Sequence, residues 1–335
     1  MKIAIALSGG IDSSVSAYLL KQQGFDLIGI TFYTSYSEKD SLNFAEKVCQ
    51  TLNIPWYPVD VSQEFEKLVV EPFVESYLKG KTPNPCVLCN KEIKFGKLVE
   101  VAENLGAEKF ATGHYLRIGE YKGFKVLKKA KFEKKDQTYF LAMIKKEVIE
   151  KLVFPLGELD KDKVVEVAKE IFPFIRPKES QDVCFLKGKT LKEFFSKLAQ
   201  PKKGPIVYKN EVVGYHEGFY TYTIGQRRGL RVRLGKPVYV IKILPEENTI
   251  ILGDEEDLYS DVLFLEGLNE FVPLTKWEKV EAKIRYRFTP VRVKRVIREE
   301  NRVKVVFEEK VRGVTPGQVC AFYQGDVLLG GGFIC

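Results

Sequence analysis

The first half of the chain alternates short apolar runs with amphipathic stretches in which apolar residues recur at helical spacing. The apolar runs have the length of buried strands and lie at 2–7, 27–33, 56–60 and 109–115. The amphipathic stretches lie at 12–23, 41–52, 62–79 and 91–104, with two more near 136–149 and 161–172. This alternation predicts an α/β, Rossmann-like unit, a parallel sheet with helices on both faces.

The pattern changes in the second half. From Gly204 onward, short β-branched and aromatic runs alternate with Gly, Pro and Asn turns, which predicts two small all-β units divided near residue 260. Before that point, segment 116–130 predicts a hairpin that turns at Tyr121-Lys122-Gly123. The strand runs of the second half are 238–244, 249–252, 283–287, 291–297 and 303–307. We expect three domains, at 1–186, 187–260 and 261–335.

The first predicted strand runs directly into Ser8-Gly9-Gly10-Ile11-Asp12-Ser13-Ser14. The glycines allow a sharp turn and close approach of phosphates, and the amides at the start of the next helix form a site for anionic oxygens. The serines add hydroxyl donors, and Asp12 can help to hold Mg²⁺. The run lacks Gly-Lys-Ser/Thr, so it is not a Walker phosphate loop. The alternative is an ordinary glycine-rich turn between a strand and a helix.

Cys86 and Cys89 lie in a proline-containing loop, and Cys89 comes just before the predicted helix at 91–104. A helix N-terminus together with Lys91 and Lys94 would lower a thiol pKa and give a reactive thiolate. A Cys-x-x-Cys pair can also chelate zinc or an iron–sulfur cluster. Because the chain has only two histidines and no second such pair, a closed zinc site is hard to assemble. Structural or incidental cysteines are the alternative.

Three further motifs carry polar or reactive residues. Glu179-Ser180-Gln181-Asp182-Val183-Cys184 places a cysteine in a polar loop, although a buried apolar thiol is the alternative. Thr112-Gly113-His114-Tyr115 ends a predicted strand, and by spacing alone His114 could equally be a hydrogen-bonded core histidine. The remaining motifs are Lys135-Asp136-Gln137-Thr138-Tyr139-Phe140-Leu141 and Gly225-Gln226-Arg227-Arg228-Gly229-Leu230.

Composition limits the classes of protein. A chain of 335 residues that is 45% hydrophobic can form two or three cored domains. No apolar stretch is long enough to span a bilayer, and the first strand enters the turn rather than resembling a signal peptide, so we expect a soluble, cytoplasmic protein without a membrane partner. In that compartment the six cysteines do not form a small-scaffold disulfide framework, and the closely spaced pair favours metal or redox work.

The net charge of +8 permits a polyanionic partner. Lys283, Arg285 and Arg287 alternate, which predicts that they share one strand face next to Tyr286. Such stretches are often only solvated surface, but a basic strand beside an aromatic residue favours RNA. Further basic positions are Arg292, Lys294, Arg295 and Arg298, and on the hairpin Lys122, Lys125, Lys128, Lys129 and Lys131.

In this order the motifs resemble those of tRNA-specific 2-thiouridylases, over essentially the whole chain. The turn is similar to the Ser-Gly-Gly-x-Asp-Ser signature of N-type ATP pyrophosphatases. The most specific runs are Thr82-Pro83-Asn84-Pro85, continuing through Cys89-Asn90-Lys91-Glu92-Ile93-Lys94-Phe95, and Lys135-Asp136-Gln137 with Tyr139-Phe140-Leu141. The resemblance implies an N-terminal ATP-pyrophosphatase domain, a small central domain and a C-terminal β-barrel that contacts tRNA. It also implies ATP-dependent 2-thiolation of the wobble uridine, through adenylation of the uridine 2-oxygen.

The resemblance assigns roles to individual residues. It implies that Cys89 is the catalytic nucleophile and that Cys184 carries a persulfide. The residues implied at ATP are Ala6, Leu7, Ser8, Gly9, Gly10, Ile11, Asp12, Ser13, Phe32 and Gly113. The residues implied at the target base are Asn84, Pro85 and Cys86. Those implied at tRNA are Lys135, Asp136, Gln137, Arg285 and Tyr286.

Cys86 is a departure, because many family members have Asp at this position. The Asp form fits a persulfide scheme in which Cys89 and Cys184 end as a disulfide. The Cys form leaves Cys86, Cys89 and Cys184 as three ligands for a four-iron four-sulfur cluster, whose open iron could bind the sulfide to be transferred. The resemblance further implies ATP and Mg²⁺, the tRNA anticodon stem-loop, and a sulfur donor such as a cysteine desulfurase or a sulfur carrier.

Two other functions compete with this interpretation. Another ATP pyrophosphatase, which makes an amide or a small adenylated product, would not need paired loop cysteines and a distant third. A nucleotide-binding or iron–sulfur regulatory protein would show no turnover. Release of pyrophosphate on addition of tRNA separates these possibilities.

Overall fold

The computed structural model describes residues 1–175, 183–198 and 202–335. The N-terminal part contains a five-stranded parallel sheet in the order β3-β2-β1-β4-β7. Its strands are β1 (Lys2–Ala6), β2 (Asp26–Tyr33), β3 (Trp56–Asp60), β4 (Lys109–Ala111) and, after the hairpin β5 (Leu116–Tyr121) and β6 (Phe124–Lys129), β7 (Leu152–Val153). The predicted strands are confirmed, although β4 ends earlier than expected and the short β7 was missed.

Helices cover both faces of this sheet. Ile3 and Ile5 of β1 pack in a core with the first, second and seventh helices, whereas Ala4 packs on the opposite face against the sixth. The helices are α1 (Ile11–Gln22), α2 (Lys39–Leu52), α3 (Ser62–Phe65), α4 (Glu71–Leu78), α5 (Pro85–Leu88), α6 (Leu98–Asn104), α7 (Lys161–Ile171) and α8 (Leu191–Phe195). The predicted arrangement on both faces is confirmed.

Two of the predicted helices contain π-helical segments. Glu66–Val70 joins α3 to α4, and Cys89–Lys97 joins α5 to α6. The second of these composite helices starts at Pro85, six residues before the predicted start at 91, because proline fits the first position of a helix, where its missing N–H is not needed. Cys89 therefore lies inside a helix and not just before one, which corrects the expectation from the sequence.

The helix predicted near 136–149 is wrong. The segment forms short 3₁₀ turns, Glu133–Lys135, Thr138–Leu141 and Lys146–Lys151. Tyr139 donates its hydroxyl hydrogen to the carbonyl oxygen of Val319 at 3.0 Å, and the carboxylate of Asp136 accepts the backbone N–H of Ala130 at 3.2 Å. These contacts favour tight turns over a regular helix.

The central part is a four-stranded sheet in the order β10-β11-β8-β9. Its strands are β8 (Gly204–Tyr208), β9 (Glu211–His216), β10 (Tyr239–Leu244) and β11 (Thr249–Gly253). Its core consists of Ile206, Leu230, Val238, Val240, Ile250 and Leu252. The expectation of a small β unit here is confirmed.

The C-terminal part forms a nine-stranded sheet that includes the hairpin β5–β6 from the first half of the chain. Strand β6 pairs antiparallel with β18, with Leu127 opposite Leu328. The new strands are β12 (Tyr259–Leu265), β13 (Asn269–Glu270), β14 (Glu281–Lys283), β15 (Val291–Arg298), β16 (Val303–Arg312), β17 (Val319–Gln324) and β18 (Val327–Phe333). The hairpin was predicted, but its union with the C-terminal sheet was not.

The strand predicted at 283–287 is also wrong, because β14 ends at Lys283. Arg285 and Arg287 therefore do not continue one strand face with Lys283. Within the described residues, no helix combines the length and apolar character needed to cross a membrane.

Candidate active site

Serine side chains organise the turn between β1 and α1. The Oγ of Ser13 accepts the backbone N–H of Ser8 at 3.1 Å and donates to the carbonyl oxygen of Gly10 at 3.1 Å. The hydroxyl of Ser14 donates to the same carbonyl at 2.9 Å. No side chain of the described residues caps the N-terminus of α1. The first amides of the helix and its partial positive charge are therefore suited to an anionic ligand.

Gly9 and Gly113 allow backbone segments to meet at this turn. Gly9 has a φ of +75°, and a Cβ there would lie 2.4 Å from the carbonyl oxygen of Ser41. Gly113 follows β4, and a Cβ there would lie 2.7 Å from the backbone nitrogen of Ser13. The structure thus brings Gly113 to the turn. The remaining residues assigned to ATP lie in or after β1 and β2 at the same edge: Ala6, Leu7, Ser8, Ile11 and Phe32.

Asp12 has two partners that were not predicted from the sequence. Its Oδ1 accepts a hydrogen bond from the Tyr115 hydroxyl at 2.7 Å and forms an ion pair with the ammonium of Lys161 at 2.5 Å. The backbone N–H of Tyr115 donates in turn to Oε1 of Gln137 at 2.9 Å. Only the contact from Tyr115 had a sequence signal, since it lies in the predicted His114 motif.

Two of the three cysteines singled out from the sequence lie in the composite helix that begins at Pro85, and the third comes from a distant segment. Asn84 precedes that helix, and Cys86 lies in its first turn with an exposed side chain. Cys89 begins the π segment and is partly buried. Cys184 is exposed, while residues 176–182, which hold most of the polar run before it, lie outside the described residues.

An aromatic cluster holds the segment of Cys184 against this helix. The ring of Phe185 packs edge-on against Phe73, with ring centroids 5.0 Å apart, and against Phe65 at 6.0 Å. Ile93 of the π segment belongs to the same buried cluster, and Cys89 packs at its border. Burial of Phe185 therefore brings residue 184 to residue 89, far apart in sequence.

The positive charge of Lys94 affects the pKa of all three thiols. Although Cys86 and Cys184 keep exposed surface, the protein atoms around each sulfur desolvate it and raise the pKa of all three thiols, and that of Cys89 reaches about 12. The ammonium of Lys94 lowers each pKa but does not offset desolvation, and the charge of Cys184 raises the pKa of both Cys86 and Cys89. The expected lowered thiol pKa is therefore wrong for this state, in which the cysteines are neutral thiols at pH 7.

His114 lies beside the same group. Its Nδ1 is 2.8 Å from the hydroxyl of Thr112, and its ring centroid is 5.6 Å from that of Phe95. Desolvation, and next the charge of Lys94, hold its pKa well below the ordinary value, so His114 is neutral at pH 7. A hydrogen-bonded histidine was one of the two expectations. Because His114 follows Gly113, which packs on the phosphate turn, it also lies near that turn.

The three thiols have the chemistry of iron ligands. However, among the residues that the structure describes, no group of three His, Cys, Asp or Glu side chains is arranged to hold a metal ion. These thiols do not form a ready ligand set within the described residues. The assignment of Cys86, Cys89 and Cys184 as cluster ligands stays a prediction.

Comparison with known proteins identifies the family. Residues 1–188 match the family model of the tRNA methyl transferase HUP domain, residues 192–254 its PRC-barrel domain, and residues 259–334 the aminomethyltransferase beta-barrel domain. The tRNA-specific 2-thiouridylase MnmA of Aquifex aeolicus is 45% identical over 100% of this chain and 99% of its own. MnmA 2 of Clostridium botulinum strain Hall is 42% identical over 99% and 98%.

The chain belongs to the tRNA-specific 2-thiouridylase family. It is thus an enzyme of a tRNA-uridine sulfurtransferase family, with a Rossmann-like HUP domain, a central PRC-barrel domain and a C-terminal β-barrel domain. The expected family, enzyme class and fold class are confirmed. Among solved structures, the U34-tRNA thiolase NcsA of Methanococcus maripaludis is 21% identical, with a TM-score of 0.37 over 59% of this chain and 66% of that one.

Two of the residues that the thiouridylase resemblance assigned to tRNA have internal roles. Asp136 is only 5% exposed, and its carboxylate accepts hydrogen bonds from the backbone of Ala130 and from the hydroxyl of Thr138. Gln137 holds the backbone of Tyr115. Direct contact of Asp136 with tRNA is therefore not expected in this conformation, whereas Lys135 is partly exposed.

Arg285 and Tyr286 both make internal contacts, and each also reaches another part of the chain: the guanidinium of Arg285 donates to the carbonyl oxygen of Ile224 at 3.4 Å, and Tyr286 packs on the N-terminal part. The guanidinium of Arg285 donates to the carbonyl oxygen of Gly313 at 2.7 Å and to the hydroxyl of Thr315, and desolvation lowers its pKa. The ring of Tyr286 lies 4.4 Å from that of Phe140 between centroids. Arg285 is thus a structural cross-link rather than a free cation on a strand face.

The hairpin lysines are also engaged. Each forms an ion pair, as in Lys122 with Glu278 at 2.7 Å and Lys128 with Asp326 at 3.1 Å. The other pairs are Lys125 with Glu150, Lys129 with Glu133, and Lys131 with Glu158. This makes the hairpin a weaker candidate for RNA than β15, where Arg292, Lys294 and Arg295 are exposed and form no ion pair within the described residues.

Proposed function

We propose that this enzyme replaces the 2-oxygen of the wobble uridine in the tRNA anticodon with sulfur and consumes ATP. The position of Gly113-His114 carries the proposal. Gly113 packs on the start of α1 at the phosphate turn, and Lys94 lowers the pKa of His114 as well as those of all three thiols. A nucleotide at the turn and a base at the thiols would therefore lie on either side of this dipeptide.

The first step activates the base. A uridine 2-oxygen is a poor leaving group, so we propose that it attacks the α-phosphorus of ATP, forming a uridine–AMP bond and releasing pyrophosphate. The amides at the start of α1 and the hydroxyl of Ser8 bind the phosphates. Asp12 would hold Mg²⁺, which supplies further positive charge for the departing pyrophosphate.

The second step transfers sulfur. The outer sulfur of a persulfide on Cys184 attacks C2, and AMP leaves with the electrons of the C2–O bond. The Cys89 thiol then attacks the inner sulfur of Cys184, and its proton passes to the departing 2-thiouridine. The old S–S bond breaks toward the uridine sulfur, which leaves 2-thiouridine and a Cys89–Cys184 disulfide. A thiol reductant must reopen this disulfide, and a sulfur donor such as a cysteine desulfurase or sulfur carrier must reload Cys184.

The raised pKa of Cys89 fits this sequence of steps. Because the Cys89 thiol stays protonated, it resists oxidation until Cys184 has received its sulfur from the donor. The target base must reach these thiols, and an anticodon loop can splay out a base at modest cost. We assign the base to the neighbourhood of Asn84, Pro85 and Cys86.

We assign the nucleotide chemistry to residues 1–186 and contact with the anticodon stem-loop to Lys135, Tyr286 and the basic strand β15 in 261–335. Residues 187–260 form the connecting domain. The exposed arginines of 227–233 give this domain a further surface that could contact the phosphate backbone of the tRNA. The expected location, the cytoplasm, stays a prediction.

Nucleoside analysis tests the function. The protein is incubated with tRNA, ATP, Mg²⁺, a thiol reductant and a cysteine desulfurase with cysteine as the persulfide source, and the digested tRNA is analysed by mass spectrometry. We expect 2-thiouridine at the wobble position, with one AMP and one pyrophosphate per sulfur. Pyrophosphate release without thiolated tRNA would favour another adenylating enzyme. Absence of both products, with ATP still bound, would favour a regulatory nucleotide-binding protein.

A further inference from the structure

Lys161 is placed at the phosphate turn by the fold alone. It is the first residue of α7 and lies 149 residues after Asp12, yet its ammonium is 2.5 Å from Oδ1 of Asp12. The Lys161 side chain is only 14% exposed. Its ammonium also lies 5.7 Å from the centroid of the Tyr115 ring. Lys161 is therefore held between an acid and an aromatic ring at the edge of the turn.

This position matters because the turn itself contains no cation. Residues Ser8–Ser14 include no Lys or Arg, whereas a Walker loop supplies its own lysine to the β- and γ-phosphates. The partial charge of a helix N-terminus is about half an elementary charge. It can neutralise only part of a triphosphate.

Apolar contacts also pack α7 against α1, independently of the ion pair. The two helices share an apolar core in which Val15 and Leu20 of α1 meet Val164 and Ala168 of α7. Asp160 caps α7 by accepting the backbone N–H of Asp162 at 3.0 Å. Because these contacts already hold the two helices together, the Lys161 ammonium is available to a ligand.

We propose that Lys161 binds the β- and γ-phosphates of ATP, and later the pyrophosphate, as the cation that the turn lacks. The inference rests on the proposed function. On binding, the ammonium passes from Asp12 to the phosphate oxygens, while the hydroxyl of Tyr115 keeps the carboxylate of Asp12 in place. Gln137 contributes by fixing the backbone of Tyr115.

Ligand binding to the full-length protein tests this role. Isothermal titration in Mg²⁺ buffer measures the Kd of ATP, pyrophosphate and AMP for the wild type and for Lys161→Met. We expect Lys161→Met to weaken ATP and pyrophosphate about tenfold to a hundredfold, the range of a hydrogen bond to a charged group, and to leave AMP unchanged. Lys161→Arg should retain most of the affinity. Lys163→Met, at an exposed position of the same helix, is the matched control and should bind all three ligands normally.

The Asp12→Asn/Lys161→Met double variant separates two explanations. If Lys161 contacts phosphate, the double variant binds ATP more weakly than the Asp12→Asn single variant, which accounts for the loss of the carboxylate that would hold Mg²⁺. Restored ATP affinity would mean that Lys161 only masks the charge of Asp12, and would overturn the proposal. Unchanged ATP affinity in Lys161→Met, or equal losses for ATP and AMP, would overturn it as well. A wild-type protein that binds none of the three ligands would overturn the proposed function and this inference together.

Discussion

The side-chain amide of Gln318 donates a hydrogen bond to the backbone carbonyl of Thr82 at 2.7 Å. The backbone N–H of Thr82 in turn donates a hydrogen bond to the carbonyl oxygen of Pro316 at 2.8 Å. A Cβ on Gly317 would lie 2.9 Å from the carbonyl carbon of Thr82. Because Thr82 stands two residues before Asn84, the C-terminal domain holds the start of the cysteine-bearing segment.

We expect Gln318→Leu to lower the thiolation rate by about tenfold or more, because a loop displaced by about 1 Å misplaces the target base. The Kd of ATP should stay unchanged, since the phosphate turn does not contact Gln318. Single-turnover kinetics with saturating tRNA and ATP measure the effect. Gln324→Leu, in the same domain, is the control. An unchanged rate in Gln318→Leu would mean that the loop keeps its position without this hydrogen bond.

The raised thiol pKa values predict slow alkylation. Because desolvation raises the pKa of Cys89 to about 12, its thiolate fraction at pH 8 should be roughly a thousandfold below that of an ordinary cysteine. Peptide-resolved alkylation with iodoacetamide should therefore speed up about tenfold per pH unit between pH 7 and pH 10.

Lys94→Met provides the matched test of cause. Loss of the nearby positive charge should raise the Cys89 pKa further and slow alkylation. Lys97→Met, in the same π segment, should have little effect, since Lys97 pairs with Glu64. Rapid alkylation of wild-type Cys89 at pH 7 would instead restore the activated thiolate expected from the sequence.

The cysteine variants separate the two schemes for sulfur. Cys89→Ser and Cys184→Ser should each abolish thiolation, since both schemes need both sulfurs. Cys86→Ser should keep substantial activity in the persulfide scheme, where Cys86 is only a neighbour of the base. In the cluster scheme the same variant should lose activity and, after anaerobic reconstitution, its brown colour. Nucleoside analysis and visible absorption together give the answer.

Cysteines outside this group should be replaceable. Cys49 and Cys320 are buried and Cys335 is exposed. Alanine variants of the buried pair should be destabilised by about 1 kcal/mol or more, because the packing around each thiol is weakened, and should retain thiolation. Complete inactivity of the Cys335→Ala protein would show that Cys335 also takes part in catalysis.

We expect the Arg292→Ala/Arg295→Ala variant to bind tRNA less tightly and to flatten the salt dependence, by about one unit of log–log slope for each phosphate that the variant no longer neutralises. These side chains are exposed on β15. Filter binding at several salt concentrations measures the slope. An unchanged slope would exclude this strand as an RNA surface, and ATP affinity should be unaffected in either case.

Arg285→Ala should behave differently. Its guanidinium is partly buried and donates to Gly313 and Thr315, so its removal costs two hydrogen bonds from a charged group, although Thr315 still donates to the Gly313 carbonyl at 2.9 Å. We expect a loss of about 1.5–3 kcal/mol of stability, measured by chemical unfolding, rather than a change confined to the salt slope. If the Arg285→Ala protein were fully stable and its tRNA binding had a smaller salt slope, Arg285 would instead be part of the RNA-binding surface.

Asp12→Asn should abolish pyrophosphate release while keeping the fold. The amide can still accept a hydrogen bond from Tyr115, but it loses the charge that pairs with Lys161 and would hold Mg²⁺. Unchanged thermal unfolding is the control for the fold. Normal pyrophosphate release by this variant would contradict the assignment of the turn to ATP.

The sequence by itself determined the elements whose causes are local. An apolar run of strand length followed by Ser8-Gly9-Gly10 specifies β1, the turn and α1, because the glycines, the serine hydroxyls and the helix start act within a few residues. The same holds for the β5–β6 hairpin at Lys122-Gly123, where two consecutive residues have positive φ. The family motifs likewise identified the cysteines without any knowledge of their surroundings.

Tertiary structure decided everything that depends on distant partners. Tyr139 and Asp136 take contacts with Val319 and Ala130, so helical spacing at 136–149 does not produce a helix. The β6 strand joins β18 because each supplies an edge to the other. Thiol pKa values follow desolvation, which no spacing reveals. Lys161 reaches Asp12 only because α7 packs beside α1, a juxtaposition created by the shared apolar core.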